Sequence, residues 1–141
     1  GLAIHPSSGV LYATENGPEC NDELNRVVAG ANFGWRPDQS CTDTDPAFVQ
    51  PISAINPSVG LTGAAFYRGS LFSEFKNNLL VGDFNTGTIR RYLIDEGAGG
   101  AVVGEAIVLP GSGEPVLAVA VDRKGVIYYT TPTALKRLVR K

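Results

Sequence analysis

A run of eleven residues near the start of the chain concentrates side chains that could bind a metal ion. Glu15-Asn-Gly-Pro-Glu-Cys-Asn-Asp-Glu-Leu-Asn25 contains four carboxylates and three side-chain amides around a Gly-Pro turn. Calcium is bound by about six to eight oxygen atoms from carboxylates, amides and backbone carbonyls, and a Gly-Pro turn directs carbonyls toward one point. The run is typical of a calcium-binding loop. The alternative is an acidic, solvated loop that binds no metal.

Further motifs downstream give most of the chain a resemblance to a known family. Asn32-Phe-Gly-Trp35 closes the acidic stretch; Leu61-Thr-Gly-Ala-Ala-Phe-Tyr-Arg-Gly69, Phe75-Lys-Asn-Asn-Leu-Leu-Val-Gly-Asp83 and Gly87-Thr-Ile-Arg-Arg-Tyr-Leu-Ile-Asp95 follow it. In this order and spacing the chain resembles the soluble quinoprotein glucose/sorbosone dehydrogenase family. The resemblance implies a six-bladed β-propeller that oxidises an aldose or similar sugar with pyrroloquinoline quinone and calcium. Some relatives keep the propeller for binding alone.

The resemblance also implies roles for individual residues of the acidic run. The backbone carbonyls of Gly17 and Pro18 match those that bind the calcium ion beside the quinone. Asn16 and Asp22 match polar residues that approach the cofactor. Glu23 and the carbonyl of Phe33 match a second, structural calcium site.

Other parts of the family pattern are absent from this chain. The general-base histidine of the family belongs to an earlier blade, and His5, the only histidine, matches a turn position instead. Asn85 stands where glucose-oxidising members have a cofactor-binding lysine, and Glu114 stands near the position of their arginines. Without the base we expect no catalytic residue in this chain and no activity of the chain alone. We also expect weakened quinone binding, because charge-assisted contacts to an anionic cofactor would be lost.

Cys20 and Cys41 are the only cysteines. A disulfide between them would stabilise the fold by about 3 kcal/mol through loop closure and would indicate an oxidising compartment, either the periplasm or the exterior. Two free, buried thiols are the alternative. Trp35 lies between these cysteines in the sequence and is expected to pack beside the metal loop.

Composition restricts the possible partners. The chain has 141 residues and a net charge of −2 without a basic run, which argues against nucleic acid or an anionic membrane surface as a partner. No apolar stretch reaches the roughly 20 residues that a membrane-spanning helix needs. The chain begins with glycine and contains no methionine, so we expect a processed, trimmed or partial sequence.

Short β-rich runs separated by Gly, Pro, Asn and Asp predict an all-β protein built of propeller blades. We expect about three four-stranded antiparallel blades at residues 1–58, 59–110 and 111–141, the last without its outermost strand. Together these blades would make half of a six-bladed propeller. The eleven predicted strands cover residues 2–5, 10–14, 24–29, 52–55, 63–67, 79–84, 88–94, 102–109, 117–121, 126–131 and 134–139.

Two functions remain open at this point. One is a fragment of a quinone- and calcium-dependent sugar dehydrogenase. The other is a non-catalytic, calcium-stabilised propeller module that binds a protein or glycan partner. In either case half a propeller would leave open sheet faces, so we expect a second copy or a separate N-terminal half to complete it.

Overall fold

The computed structural model describes residues 1–41 and 45–140, and its secondary structure there is almost entirely β. Two short 3₁₀ segments, Ser73–Phe75 and Glu96–Ala98, interrupt the strands, and no helix in the described ranges is long and apolar enough to cross a membrane. The strands are β1 (Leu2–Ile4), β2 (Leu11–Glu15), β3 (Asp22–Arg26), β4 (Ser53–Ile55), β5 (Leu61–Phe66), β6 (Leu79–Asp83), β7 (Ile89–Asp95), β8 (Ala101–Leu109), β9 (Ala118–Val121), β10 (Ile127–Thr130) and β11 (Leu135–Arg137).

These strands form three antiparallel sheets in which each strand pairs with the next along the chain. Sheet A contains β1 to β4, sheet B contains β5 to β8, and sheet C contains β9 to β11. Such meanders of four strands are the blades of a β-propeller. The predicted fold class is confirmed, and within the described residues the last sheet has three strands.

The sequence placed the starts of β3 and β5 two residues too late; β5 was predicted from Gly63 and begins at Leu61. We predicted β3 from Leu24, but it begins at Asp22, since Asp22 pairs with Ile55 and Glu23 pairs with Ala54. Two consecutive acidic residues have low strand propensity, and tertiary contacts override that preference here.

The two hydrophobic cores lie between neighbouring sheets. Leu79 and Val81 of β6 face sheet A with Tyr12 and Leu24, whereas Leu80 faces sheet C with Ile127. Successive side chains of a strand point to opposite faces, so an uninterrupted apolar run such as Leu79–Val81 is suited to a sheet that is buried on both sides. Sheet B is therefore the central layer of the chain.

Close backbone contacts join the sheets at their ends. A Cβ atom at Gly69 would lie 2.0 Å from the Cα of Gly125, so the turns that follow β5 and β9 meet where only glycine fits. The Tyr67 hydroxyl donates to the carbonyl of Gly125 at 3.0 Å and accepts from the Phe72 amide at 2.8 Å. This buried tyrosine fixes sheet B against sheet C.

Alternate turns of a meander lie at the same end of the molecule. We call one of these two ends the upper end; its loops are residues 16–21, 56–60, 84–88, 110–117 and 131–134. Hydrogen bonds connect these loops: Asn85 Nδ2 donates to the carbonyl of Ser58 at 3.1 Å, and the Val116 amide donates to the carbonyl of Asp83 at 3.0 Å. The acidic run therefore shares this end with the loops of sheets B and C.

Candidate functional site

The long connection from β3 to β4 folds back onto the acidic run. Cys20 and Cys41 form a disulfide with their Cα atoms 5.5 Å apart, which confirms that prediction. Beside it, Asn21 Nδ2 donates to the carbonyl of Ser40 at 3.3 Å. The connection is thereby fixed to the upper end of sheet A, although it starts at the opposite end of β3.

The Gly17-Pro18 turn is tight and is held from two sides. The Gly17 amide donates to Asp22 Oδ1 at 3.2 Å, and a Cβ atom at Gly17 would lie 1.7 Å from the carbonyl oxygen of Cys20. Only glycine fits such a close backbone approach. The turn residues are therefore fixed in position before any ligand arrives.

Trp35 lies beside this turn, as predicted, but it is not a buried packing residue. Its indole Nε1 donates to the carbonyl of Asn16 at 2.8 Å, and 52% of the residue is exposed. An amphipathic ring is suited to this position, where its N–H finds a partner and one face stays open. The hydrogen bond orients the backbone that leads into Gly17.

The carbonyl oxygens of Gly17 and Pro18 are available to a cation. Among the residues that the structure describes, no donor hydrogen-bonds to either oxygen, while the neighbouring carbonyls of Asn16 and Glu19 both accept hydrogen bonds. Pro18 is exposed. Two unclaimed carbonyls in a rigid turn fit the binding of a hard cation such as calcium.

Asp22 has a structural task that the sequence did not reveal. Its side chain is fully buried, and Oδ2 accepts backbone N–H groups from Val59, Gly60 and Leu61 at 2.7, 2.5 and 3.3 Å. With the Gly17 amide on Oδ1, this carboxylate joins the metal loop to the connection between sheets A and B. Contact between Asp22 and a cofactor stays a prediction.

A second group of oxygen atoms lies on the outer face of sheet A. Glu23 is 6% exposed and pairs in register with Glu15 on β2. Asn25, 2% exposed, donates from Nδ2 to Glu23 Oε2 at 3.2 Å, and its own Oδ1 has no hydrogen-bond partner among the described residues. An orphaned, buried oxygen indicates a missing donor or cation.

The pKa values of both glutamates are raised. Burial raises the pKa of Glu15, and the charge of Glu23 raises it further. Burial also raises the pKa of Glu23, and the hydrogen bond from Asn25 opposes that rise. Burial is the larger cause for both carboxylates.

A cavity of about 20 Å³ separates Glu23 from the long connection, and Phe33 and Gly34 line it together with Arg36 and Asp45. The structure thus places Glu23 and Phe33 at one cavity, and calcium binding by them stays a prediction. This volume suffices for roughly one water molecule or ion. No three His, Cys, Asp or Glu side chains within the described ranges form a metal site, so a cation here would also need carbonyl or amide oxygens.

The upper loops of sheets B and C carry the departures from the family pattern. Phe84 is 50% exposed beside Asn85, a feature that the sequence analysis did not single out. Glu114 forms an ion pair with Lys136 and accepts from the Thr133 hydroxyl at 3.4 Å. The carboxylate at this position is therefore paired with a lysine of β11.

His5 lies far from this end in the topology, in the turn between β1 and β2. It is 4% exposed, its ring meets the edge of Phe66 at 4.8 Å between centroids, and its Nδ1 lies 3.0 Å from the Ser8 hydroxyl. These contacts are structural and hold sheet A against sheet B at the end opposite to the upper end, which we call the lower end.

Comparisons with known proteins agree with the fold. The family model described as glucose / sorbosone dehydrogenase matches residues 1–140. Among curated relatives, aldose sugar dehydrogenase YliI of Escherichia coli is 22% identical over 152 aligned positions, which cover 99% of this chain and 40% of that protein.

Solved structures show the same fold. A glucose dehydrogenase superposes with a TM-score of 0.82 at 31% identity, over 93% of this chain and 40% of that one. The PQQ-bound form of aldose sugar dehydrogenase from Streptomyces coelicolor superposes with a TM-score of 0.72 at 22% identity, over 92% of this chain and 35% of that one.

The chain thus spans less than half the length of these relatives. Within that span the family model and the three propeller sheets agree. This chain belongs to the glucose / sorbosone dehydrogenase family.

Proposed function

We propose that this chain is part of a calcium- and pyrroloquinoline quinone-dependent dehydrogenase that oxidises a hydroxyl of an aldose or similar sugar by hydride transfer to the quinone. The observation that carries the proposal is the tight Gly17-Pro18 turn at the upper end of the propeller, whose two carbonyl oxygens accept no hydrogen bond from the described residues. The family match and the PQQ-bound S. coelicolor relative support it.

Residues of this chain would hold the cofactor rather than carry out proton transfer. The quinone, when bound with calcium, supplies the hydride acceptor. The carbonyls of Gly17 and Pro18 would bind the calcium ion, and the Asp22 carboxylate keeps Gly17 in place through its amide. Asn16, oriented by Trp35, lies next to them. Since the family's base belongs to another blade, we expect the chain alone to be inactive.

A structural calcium ion at Glu23 is part of the same proposal. Glu23 and Phe33 line one small cavity, and the carboxylate is buried without a cation among its hydrogen-bond partners in the described part of the chain. Calcium would neutralise the carboxylate and fix the long connection to sheet A. The expected consequence is a calcium-dependent melting temperature, because a ligand that binds only the native state stabilises it.

The quinone can be tested directly, because Trp35 is the only tryptophan. We would titrate the purified chain with pyrroloquinoline quinone with and without calcium, following tryptophan fluorescence. Quenching that requires calcium is the expected result, and Pro18→Gly, which keeps the carbonyl but loosens the turn, should weaken it. Absence of quenching at saturating calcium would contradict quinone binding by this chain.

A specific observation favours the second function, a non-catalytic calcium-stabilised module for a protein or glycan. Asn85 is neutral and Glu114 is already paired with Lys136, so neither provides a free cation for a tricarboxylate cofactor. On this alternative calcium would raise the melting temperature and the quinone would leave both the fluorescence and the melting temperature unchanged. The same titration therefore distinguishes the two functions.

Location and assembly complete the proposal. The Cys20–Cys41 disulfide is typical of an oxidising compartment, so we place the protein in the periplasm or outside the cell. Leu2 and Ile4 of β1 are 66% and 57% exposed, and Leu135 of β11 is 71% exposed. We propose that another copy of the chain or a separate N-terminal half covers these faces.

A further inference from the structure

We propose that the lower end of the molecule carries a binding site for a small organic acid, whose carboxylate pairs with Arg68 and Arg123. The inference goes beyond the proposed function, because this site lies at the end opposite to the Gly17-Pro18 turn and needs neither quinone nor calcium. A cavity, two arginines without acidic partners and the rigidity of the turns that hold them carry it.

The cavity lies where the first strands of the three sheets meet. Its volume is about 510 Å³, within the range of roughly 300–1,000 Å³ that is usual for small-molecule sites. β5 and β9 approach so closely there that a Cβ atom at Gly63 would lie 2.7 Å from the Cα of Ala118. Most of the lining is apolar and comes from Ala3, Ile4, Ala64, Ala65, Phe66 and Val121.

Two arginines line the same cavity, and neither has an acidic partner among the described residues. Arg68 donates only to the carbonyl oxygen of Ile4, over a long distance of 3.4 Å. Arg123 has no hydrogen bond or ion pair within the described ranges. Both arginines are exposed. Since a guanidinium group carries several N–H donors, most of these donors are open to a ligand.

The acids near this end are occupied by other partners. Glu74 forms an ion pair with Arg140 at 2.8 Å, and Glu96 accepts from the Tyr12 hydroxyl at 2.6 Å. Asp122 is the one acid among the residues that line the cavity, and its Oδ1 accepts two backbone amides of its own turn, each at 2.8 Å. The positive charge of the two arginines is therefore only partly balanced.

Rigid turns hold both arginines. Arg68 directly follows Tyr67, whose buried hydroxyl donates to the carbonyl of Gly125 at 3.0 Å. Arg123 lies in the turn that ends at Gly125, and the two amides bonded to Asp122 fix the shape of that turn. Groups that are fixed in advance lose less conformational entropy when a ligand binds. The two turns therefore present the arginines as a preorganised pair.

Charge and lining together specify the class of ligand. Two arginines and one aspartate leave the cavity with a single excess positive charge, which matches one carboxylate better than a dianion. Arginine also binds a carboxylate through paired N–H donors. The apolar lining is suited to an apolar body on the same molecule. The geometry thus favours a monocarboxylic acid with an aliphatic or aromatic body.

The test is a titration of the chain with benzoate, without calcium or quinone, followed by nuclear magnetic resonance of the backbone amides. We expect saturable shifts at the amides of Gly69 and Gly125, which lie next to the two arginines. Arg68→Gln and Arg123→Gln should each weaken benzoate binding by about tenfold, because each removes a charge-assisted contact. Benzamide, which has the same shape without the charge, should bind at least about tenfold more weakly than benzoate.

Lys124→Gln is the matched control. Lys124 is exposed in the same turn as Arg123, does not line the cavity, and its side chain has no partner among the described residues. It removes the same charge as Arg123→Gln, so it should change benzoate affinity by less than about twofold. The amide spectrum of each variant shows directly whether it is folded.

Four results would overturn the inference. Absence of saturable shifts at Gly69 and Gly125 would reject the site. Equal binding of benzoate and benzamide would show that the charge of the ligand plays no part. Equal effects of Lys124→Gln and Arg123→Gln would reduce binding to the general charge of the surface. Tighter binding of inorganic phosphate than of benzoate would reject an organic acid as the ligand. None of these results would affect the proposed function, because its titration with quinone and calcium concerns the other end of the molecule.

Discussion

At the scale of single residues, Asp22 shows how a carboxylate in a metal-binding motif can have a structural task. Four backbone amides, from Gly17, Val59, Gly60 and Leu61, donate to its two oxygens. Three of these amides lie 37 to 39 residues away in the sequence, so the local pattern could not reveal them, and Asp22 had only the cofactor contact that the resemblance implies. The same side chain connects the candidate calcium turn to sheet B.

Asp22→Asn should therefore destabilise the fold and not only the site. An amide offers one acceptor atom where the carboxylate offers two, so buried N–H groups would lose their partner. We expect the free energy of unfolding to fall by about 3 kcal/mol, the range for buried hydrogen bonds to a charged group. Urea denaturation measures it. Asp38→Asn, at an exposed position, is the control, and a loss below about 0.5 kcal/mol would contradict this role.

At the scale of secondary-structure elements, the long connection between β3 and β4 is fixed to sheet A by the Cys20–Cys41 disulfide and the hydrogen bond from Asn21 to Ser40. The disulfide closes a loop with a sequence separation of 21. Replacing both cysteines by serine should lower the free energy of unfolding by about 3 kcal/mol in the chain-entropy model. If the connection also positions Phe33 at the Glu23 cavity, calcium affinity should fall in the same variant.

Calorimetry of the double variant in the presence and absence of a reducing agent provides the comparison. Reduced wild-type protein should behave like the double serine variant, and the variant itself should not respond to the reductant. A double variant with unchanged calcium affinity would show that Phe33 is positioned by other contacts, such as the hydrogen bond from the Val49 amide to Asn32.

Contacts between side chains at the lower end of sheet A predict that the stability of the fold depends on pH. The Tyr12 hydroxyl donates to Glu96 Oε1 at 2.6 Å, and His5 Nδ1 lies 3.7 Å from the same oxygen. Burial acts to raise the pKa of Glu96, but hydrogen bonds from Tyr12 and Ser8 and the charges of His5 and Arg26 prevail and lower it. A carboxylate whose folded pKa is depressed stabilises the fold above its unfolded pKa, and that contribution is lost as the pH falls through the folded value.

The contribution of Glu96 should accordingly be full well above about pH 4.3, the unperturbed pKa of glutamate, and be lost progressively as the pH falls below that value through the lower pKa of the folded state. Glu96→Gln should therefore be less stable than the wild type near neutral pH, and the difference should shrink as the pH falls below about 4. Urea denaturation of both proteins across this range measures the difference. A difference that does not change with pH would show that Glu96 acts through packing alone.

Secondary structure was the part of the molecule that the sequence predicted well. Runs such as Leu79–Val81 and the turns at Gly9 and Gly125 carry local signals, so the strands and their order followed from pattern and turn chemistry. The start of β3 was missed, because Asp22 and Glu23 are strand residues only through long-range partners. The burial of Asn25 was missed for the same reason, since it depends on the pairing of β2 with β3.

At the scale of the whole molecule, the two outer sheet faces differ from the covered interior. Sheet B is covered on both sides by apolar clusters. Leu2 and Ile4 on one outer face and Leu135 on the other expose more than half of their surface. Open apolar faces of this kind are usually covered by another chain or segment.

The chain should therefore associate, and the stoichiometry of association identifies what covers it. If two copies complete one ring, light scattering during size-exclusion chromatography should show a dimer that persists on dilution, because a closed twofold ring leaves no open face. Ile4→Lys places a charge in the apolar face and should shift the protein toward the monomer, whereas Lys124→Glu, in an exposed turn, should not. A stable monomer at high concentration would reject the second copy and leave a separate N-terminal half as the partner. Addition of that half should then slow hydrogen exchange at the Ile4 amide. It should also restore sugar oxidation if quinone and calcium bind.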